Sequence, residues 1–171
     1  MNKLKNILFL AILALGSIAY SQTKESALKD ASATLKANMD MDYDTMIKHS
    51  LPAVLDMMGG KDAALKVLKA TMEGAKAQGL VIEKSEIVNV SELTKEQGQS
   101  RCIVLGDTQM TMSGQRVKTK IHYIGIYNDV DKYWWFVEAK QLKNKVLANK
   151  ILPNFETSLE IPEDDVQVEK I

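Results

Sequence analysis

The stretch RCIVLGDTQMTMSGQRVKTKIHYIGIY, residues 101–127, decides the fold. Two runs with strand-like alternation meet at Ser113-Gly114, a pair suited to a two-residue hairpin turn. Folding back at that turn sets Met112 opposite Gln115, Met110 opposite Val117, Val104 opposite Tyr123 and Cys102 opposite Gly125. These pairs share one apolar face. The other face places Asp107 directly across from Lys120, and opposite charges at facing positions support the register.

The strand pattern continues outward from this hairpin. Leu80 to Val90 reads as a strand with room for a bulge, Ser91 to Gln99 as a polar loop, and Tyr133 to Ala139 as a further strand. A loop over Asn128 to Lys132 sets Tyr127 opposite Tyr133, Trp135 over Gly125 and Val137 against Tyr123. In that register the second face carries Ile103, Leu105, Ile124, Ile126, Trp134 and Phe136. The sheet is then apolar on both sides at its centre. One side takes the helices; the other needs a partner chain, a ligand or the C-terminal segment as its cover.

Ahead of Gly79 the apolar period is helical. Leu28, Ala31 and Leu35 mark a helix over Lys24 to Asn38. Asp42 suits the N-cap of a short helix over Tyr43 to His49, and Pro52 the first turn of another ending at Met57-Met58. After Gly59-Gly60, the stripe Ala64, Leu65, Leu68, Met72 and Ala75 predicts a helix from Lys61 or Asp62 to Ala77. The methionines at 39, 41, 57, 58 and 72 read as core fillers. Behind the strands, Leu142 to Ile151 reads as a short helix stopped by Pro153. The acidic tail, residues 153–171, is either unstructured or adds an edge strand through Leu159, Ile161, Val166 and Val168. Helices first and strands second predict an α+β domain over residues 22–152, with N-terminal helices packed on a curved antiparallel sheet.

Residues 1–21 read as a secretory signal peptide. Lys3 and Lys5 precede the apolar run Ile7 to Ala14, and Ala19-Tyr20-Ser21 suits a cut before Gln22. The run is shorter than a membrane span. An exported protein, periplasmic or extracellular, is expected, with no membrane span after cleavage. The 171-residue chain has 22 basic and 22 acidic residues; without the leader the balance is −2, which offers no pull toward nucleic acid. Cys102 is the only cysteine, sits in an apolar run and reads as a buried small hydrophobe.

The helix order, the stretch Met41-Asp42-Tyr43-Asp44-Thr45-Met46 and the final strand Lys132-Tyr133-Trp134-Trp135-Phe136-Val137-Glu138 resemble the nuclear-transport-factor-2-like, ketosteroid-isomerase-like superfamily over residues 24–140. The resemblance implies a cone-like fold with a pocket between helices and sheet, in a family that spans enzymes and non-catalytic modules and often dimerises through the sheet. The tail beyond Asn154 departs from its simplest form. No catalytic set of the family's enzymes matches this sequence.

The chemistry-bearing residues are few. His122 falls opposite Glu138 in the register above, and a carboxylate-oriented imidazole can act as a general base. The alternative is a polar pair at the wet edge of the sheet, beside Lys118 and Lys120. Tyr43 with Asp44 is a second pair if both face a pocket. His49, at a helix end, reads as a cap or surface group. Asp40, Asp42 and Asp44 lack the rest of a calcium loop, and no histidine–cysteine spacing suits zinc; no metal and no cofactor is expected. Tyr123, Tyr127, Tyr133, Trp134, Trp135 and Phe136 form core or line an apolar ligand pocket. Two functions follow: an exported non-catalytic module that holds a small apolar ligand or protein partner as a sheet-mediated homodimer, with Ile103, Leu105, Tyr123, Ile124, Ile126, Trp134 and Phe136 as its ligand or interface residues, or a small cofactor-independent isomerase, lyase or hydrolase using His122 and Glu138. N-terminal sequencing of the exported protein should begin at Gln22; a chain starting at Met1 contradicts cleavage.

Overall fold

A computed structural model describes residues 22–171. The leader assignment falls on residues 1–21, outside them. Four helices come first: α1 (Lys24–Asp40), α2 (Tyr43–Lys48), α3 (Pro52–Met57) and α4 (Lys61–Ala77). Strands β1 (Val81–Val90), β2 (Thr94–Glu96), β3 (Gln99–Met112), β4 (Gln115–Asn128) and β5 (Tyr133–Glu138) follow, then α5 (Ala139–Lys143), α6 (Lys145–Ile151) and β6 (Asp165–Lys170). The fold is mixed α+β, with N-terminal helices on a curved, unclosed sheet of six antiparallel strands.

Local chemistry sets the helix ends. Thr23 and Ser26 form a reciprocal capping box on α1, and Asp42 accepts from Thr45 N at 3.2 Å at the start of α2. Pro52 occupies the first turn of α3. Gly79 ends α4 at φ +85°, where its N–H donates to Lys76 O and Leu80 N–H to Ala75 O.

The β3–β4 hairpin has the expected register, from Met112 opposite Gln115 to Cys102 opposite Gly125. Ser113 and Gly114 both have positive φ, the geometry that keeps two twisted strands in line. β1 carries two bulges on β3. The expected loop at 91–99 instead contains β2, folded onto β3 by a second positive-φ pair, Gln97-Gly98.

The β4–β5 register differs from expectation by one residue. Asn128 pairs with Tyr133, Tyr127 with Trp134, Gly125 with Phe136 and Tyr123 with Glu138. Asn128 belongs to the strand, and its Oδ1 accepts from Val130 N at 3.0 Å and Asp131 N at 3.3 Å. The turn is thereby closed over four residues rather than five. Because side chains alternate along a strand, this moves Trp134 and Phe136 to the helix face and Trp135 and Val137 to the outer face.

On the helix face, Trp134, Cys102, Val104, Tyr127 and Val90 pack with Ala27 and Ala31 of α1. Trp134 has no exposure; its indole donates to Ser26 Oγ at 2.9 Å and its N–H to Asp30 Oδ2 at 3.0 Å. His49 is buried rather than superficial. Its Nδ1 donates to Trp134 O at 2.7 Å, while Phe136 N donates to His49 O at 2.8 Å, so the free edge of β5 is covered. On the outer face, Ile124, Ile126 and Val137 pack with Leu142, Ala148 and Ile151, and Ile103, Trp135, Phe155 and Ile161 lean on that cluster.

The chain's own C-terminal segment is therefore the cover. Its expected single helix is two, broken at Asn144, which caps α6 through Val146 N and Leu147 N. The tail adds the edge strand: β6 pairs with β4 from Gln115–Lys170 to Lys120–Asp165. Val166 and Val168 are in it, whereas Leu159 and Ile161 precede it. Of the five methionines expected as core fillers, Met39, Met57 and Met58 are exposed, each at or beside the C-terminal end of α1 or α3. Asn128→Ala removes three turn hydrogen bonds, two accepted by Oδ1 and one donated by Nδ2 to Asp131 Oδ2, and should lower stability by about 2 kcal/mol, a Tm fall of roughly 4–8 °C in thermal unfolding; an unchanged Tm would show that the turn does not set the register.

Candidate functional site

The helices do not fill the space they enclose with the sheet. A cavity of about 310 Å³ lies between them. Along α1, Ala31, Thr34, Leu35 and Asn38 recur at helical spacing and form its roof. Met46 and Ser50, then Leu51 and Val54, close one side, and Leu68 of α4 another. The floor is sheet: Ile87, Val104, Tyr123 and Phe136, with Val137, whose side chain faces the other way, Glu138 and Gln141 at the margin where β5 ends. Gly106 keeps the floor open at a crowded point, since a Cβ there would meet Tyr123 at 3.3 Å and Leu35 at 3.6 Å.

The polar groups of this lining have defined states. Thr34 Oγ1 donates to Asp30 O and Ser50 Oγ to Met46 O, both at 2.8 Å, so each hydroxyl proton is already engaged. Asn38 Oδ1 is buried without a hydrogen-bond partner. Glu138 is the one charged residue of the lining and is paired with Lys140 at 3.0 Å. Burial, together with the nearby Glu138 and Asp164 carboxylates, pushes the Tyr123 phenol up to about 12, so it stays protonated at neutral pH. Burial likewise pushes the Cys102 thiol to about 12, which agrees with an inert core cysteine.

The expected His122–Glu138 pair is not formed. With β5 shifted by one residue, Glu138 stands opposite Tyr123 on the helix face, and His122 points to the outer face beside Leu105. His122 instead meets the tail: its backbone N–H donates to Asp164 Oδ1 at 2.8 Å, and Nδ1 lies 3.4 Å from that oxygen. Tyr43 and Asp44 lie outside the cavity lining. Of the expected ligand or interface residues, Tyr123 and Phe136 line the cavity. Ile124, Ile126 and Trp134 have no exposure and Ile103 packs on the outer cluster, so these side chains are covered within the chain rather than presented to a partner. Among the described residues no group of three or more His, Cys, Asp or Glu is placed to hold a metal ion.

A second polar centre went unnoticed in the sequence. Arg101, only 2% exposed, donates to Gln97 Oε1 and Glu156 O, both at 2.8 Å, and stacks 4.9 Å over Phe155. Glu96 stands 3.4 Å from it and accepts from Thr157 Oγ1, Ser158 N and Ser158 Oγ. Burial alone would raise the Glu96 carboxyl, but these hydrogen bonds and the Arg101 charge outweigh it and hold it below its ordinary range. The cluster fastens residues 155–158 to the β2–β3 hairpin; its signal in the sequence is a lone arginine opening an apolar strand. No family model and no curated protein matches the chain.

Proposed function

We propose that the protein is an exported, non-catalytic module that holds a small, largely apolar ligand in the cavity between α1–α4 and the sheet. The observation that carries this reading is the cavity itself. It lies at the small end of the range of ligand sites, and its lining is apolar except for a few side chains at fixed places. At about 30 Å³ per liquid-sized group, it accommodates roughly ten non-hydrogen atoms. The cone-like resemblance of residues 24–140 supports the same place for a ligand, and the leader-like residues 1–21 support export. The reading does not depend on a dimer.

Naphthalene, which fluoresces and carries no polar group, is a probe of suitable size. The wild-type protein should bind it saturably at one site. Leu68→Trp on α4 and Val54→Trp on α3 each fill the cavity from a different side and should weaken binding at least about tenfold while the protein still unfolds cooperatively. No saturable binding by the wild type, or binding unchanged in both variants, would overturn the reading.

A further inference from the structure

Thr34, Asn38 and Ser50 present acceptor oxygens to the cavity, while the Tyr123 phenol and the amide nitrogens of Asn38 and Gln141 are the donors of the same lining. Thr34 and Ser50 have spent their hydroxyl protons on backbone carbonyls of their own helical turns, which leaves only lone pairs for a ligand. Asn38 Oδ1 is buried with no donor. Thr34 and Asn38 are four residues apart on α1, so both sit on the same face of the helix and line the same roof. Glu138 adds negative charge at the margin, and no Lys, Arg or His belongs to the lining.

Resting on the ligand-binding reading above, we propose that the cavity selects a compact apolar molecule bearing a hydrogen-bond donor, a hydroxyl or an amine, and that Asn38 Oδ1 is its acceptor. The preference follows from what each head group would meet. A buried carbonyl oxygen without a donor is costly, and a ligand hydroxyl or ammonium relieves that cost when it binds. A ligand carboxylate would set its own lone pairs against those of Asn38, Thr34 and Ser50. It would also bring a second negative charge toward Glu138 at the cavity margin. An ammonium would gain from the same Glu138 charge. Lys140 does not reverse this preference: it belongs outside the lining and is already paired with Glu138.

Head-group variants of one ring system test the idea on the full chain. Naphthalene, naphthol, naphthylmethylamine and naphthoate share a hydrophobic body and are all fluorescent. Naphthol and naphthylmethylamine should each bind about fivefold or more tighter than naphthalene, and naphthoate at least about tenfold weaker than naphthol. Asn38→Leu should abolish the naphthol advantage, read as the ratio of naphthol to naphthalene affinity within the variant, with cooperative unfolding as the report that the fold persists. Glu138→Gln should restore part of the naphthoate affinity and remove the extra advantage of the amine over the alcohol. Naphthoate binding as tightly as naphthol, or a naphthol advantage that survives Asn38→Leu, would overturn the donor preference while leaving the cavity reading intact. Absence of naphthalene binding would overturn the cavity reading itself.

Discussion

The amide of Asn128 decides what each face of this sheet is for. By taking the N–H groups of Val130 and Asp131 it closes the β4–β5 turn over four residues and makes itself the last paired residue of β4. Every side chain of β5 follows from that choice. Trp134 goes under α1, where Ser26 and Asp30 receive its two N–H groups, and Phe136 and Glu138 go to the cavity side. Trp135 and Val137 turn outward to the C-terminal helices. A turn one residue longer would exchange these sets, withdraw the indole from α1 and place Glu138 opposite His122. The cavity exists in its present form because the shorter turn wins.

The outer face is closed by the chain's own final thirty or so residues, held by three chemically different attachments. Apolar packing of Leu142, Ala148, Ile151 and Phe155 supplies area. The buried Arg101, satisfied by Gln97, Gln99, Glu96 and Glu156, supplies direction: an unpaired guanidinium at that depth would be expensive, so the segment is constrained to where its carbonyl meets Arg101. The β6 ladder on β4, flanked by Glu169 with Arg116 and Lys118, ends the chain at Gly114 O. This cover removes Ile124 and Ile126 from solvent. The cavity of about 310 Å³ lies on the opposite, helix-covered face.

Much of this was legible in the residues. Ser113-Gly114 admits one tight hairpin, so the β3–β4 register followed directly from the sequence, and Gly79, Pro52 and Asp42 marked helix boundaries by backbone chemistry that tertiary packing did not override. The register of β5 was not legible, because Asn128-Asp129-Val130-Asp131 permits several turn lengths and the outcome rests on where one amide points. That slip carried the catalytic pairing of His122 with Glu138 with it and put Trp134 and Phe136 on the wrong face. Two-sided apolarity of the sheet was read correctly; which of three covers was used depended on long-range attachments such as Arg101 to Glu156, 55 residues apart. The cavity's place between helices and sheet was implied by the resemblance of residues 24–140, not by spacing or composition. The cavity itself arises where α1 and the sheet stand apart, a property of packed volumes rather than of spacing.

Native mass spectrometry of protein recovered from cells expressing the full chain tests most directly whether that space is a binding site. A molecule of roughly 150 Da, the size of about ten non-hydrogen atoms, should remain bound under gentle desolvation and be missing from Leu68→Trp. Bare protein under the same conditions, or an adduct that Leu68→Trp retains, would contradict a ligand in the helix–sheet cavity.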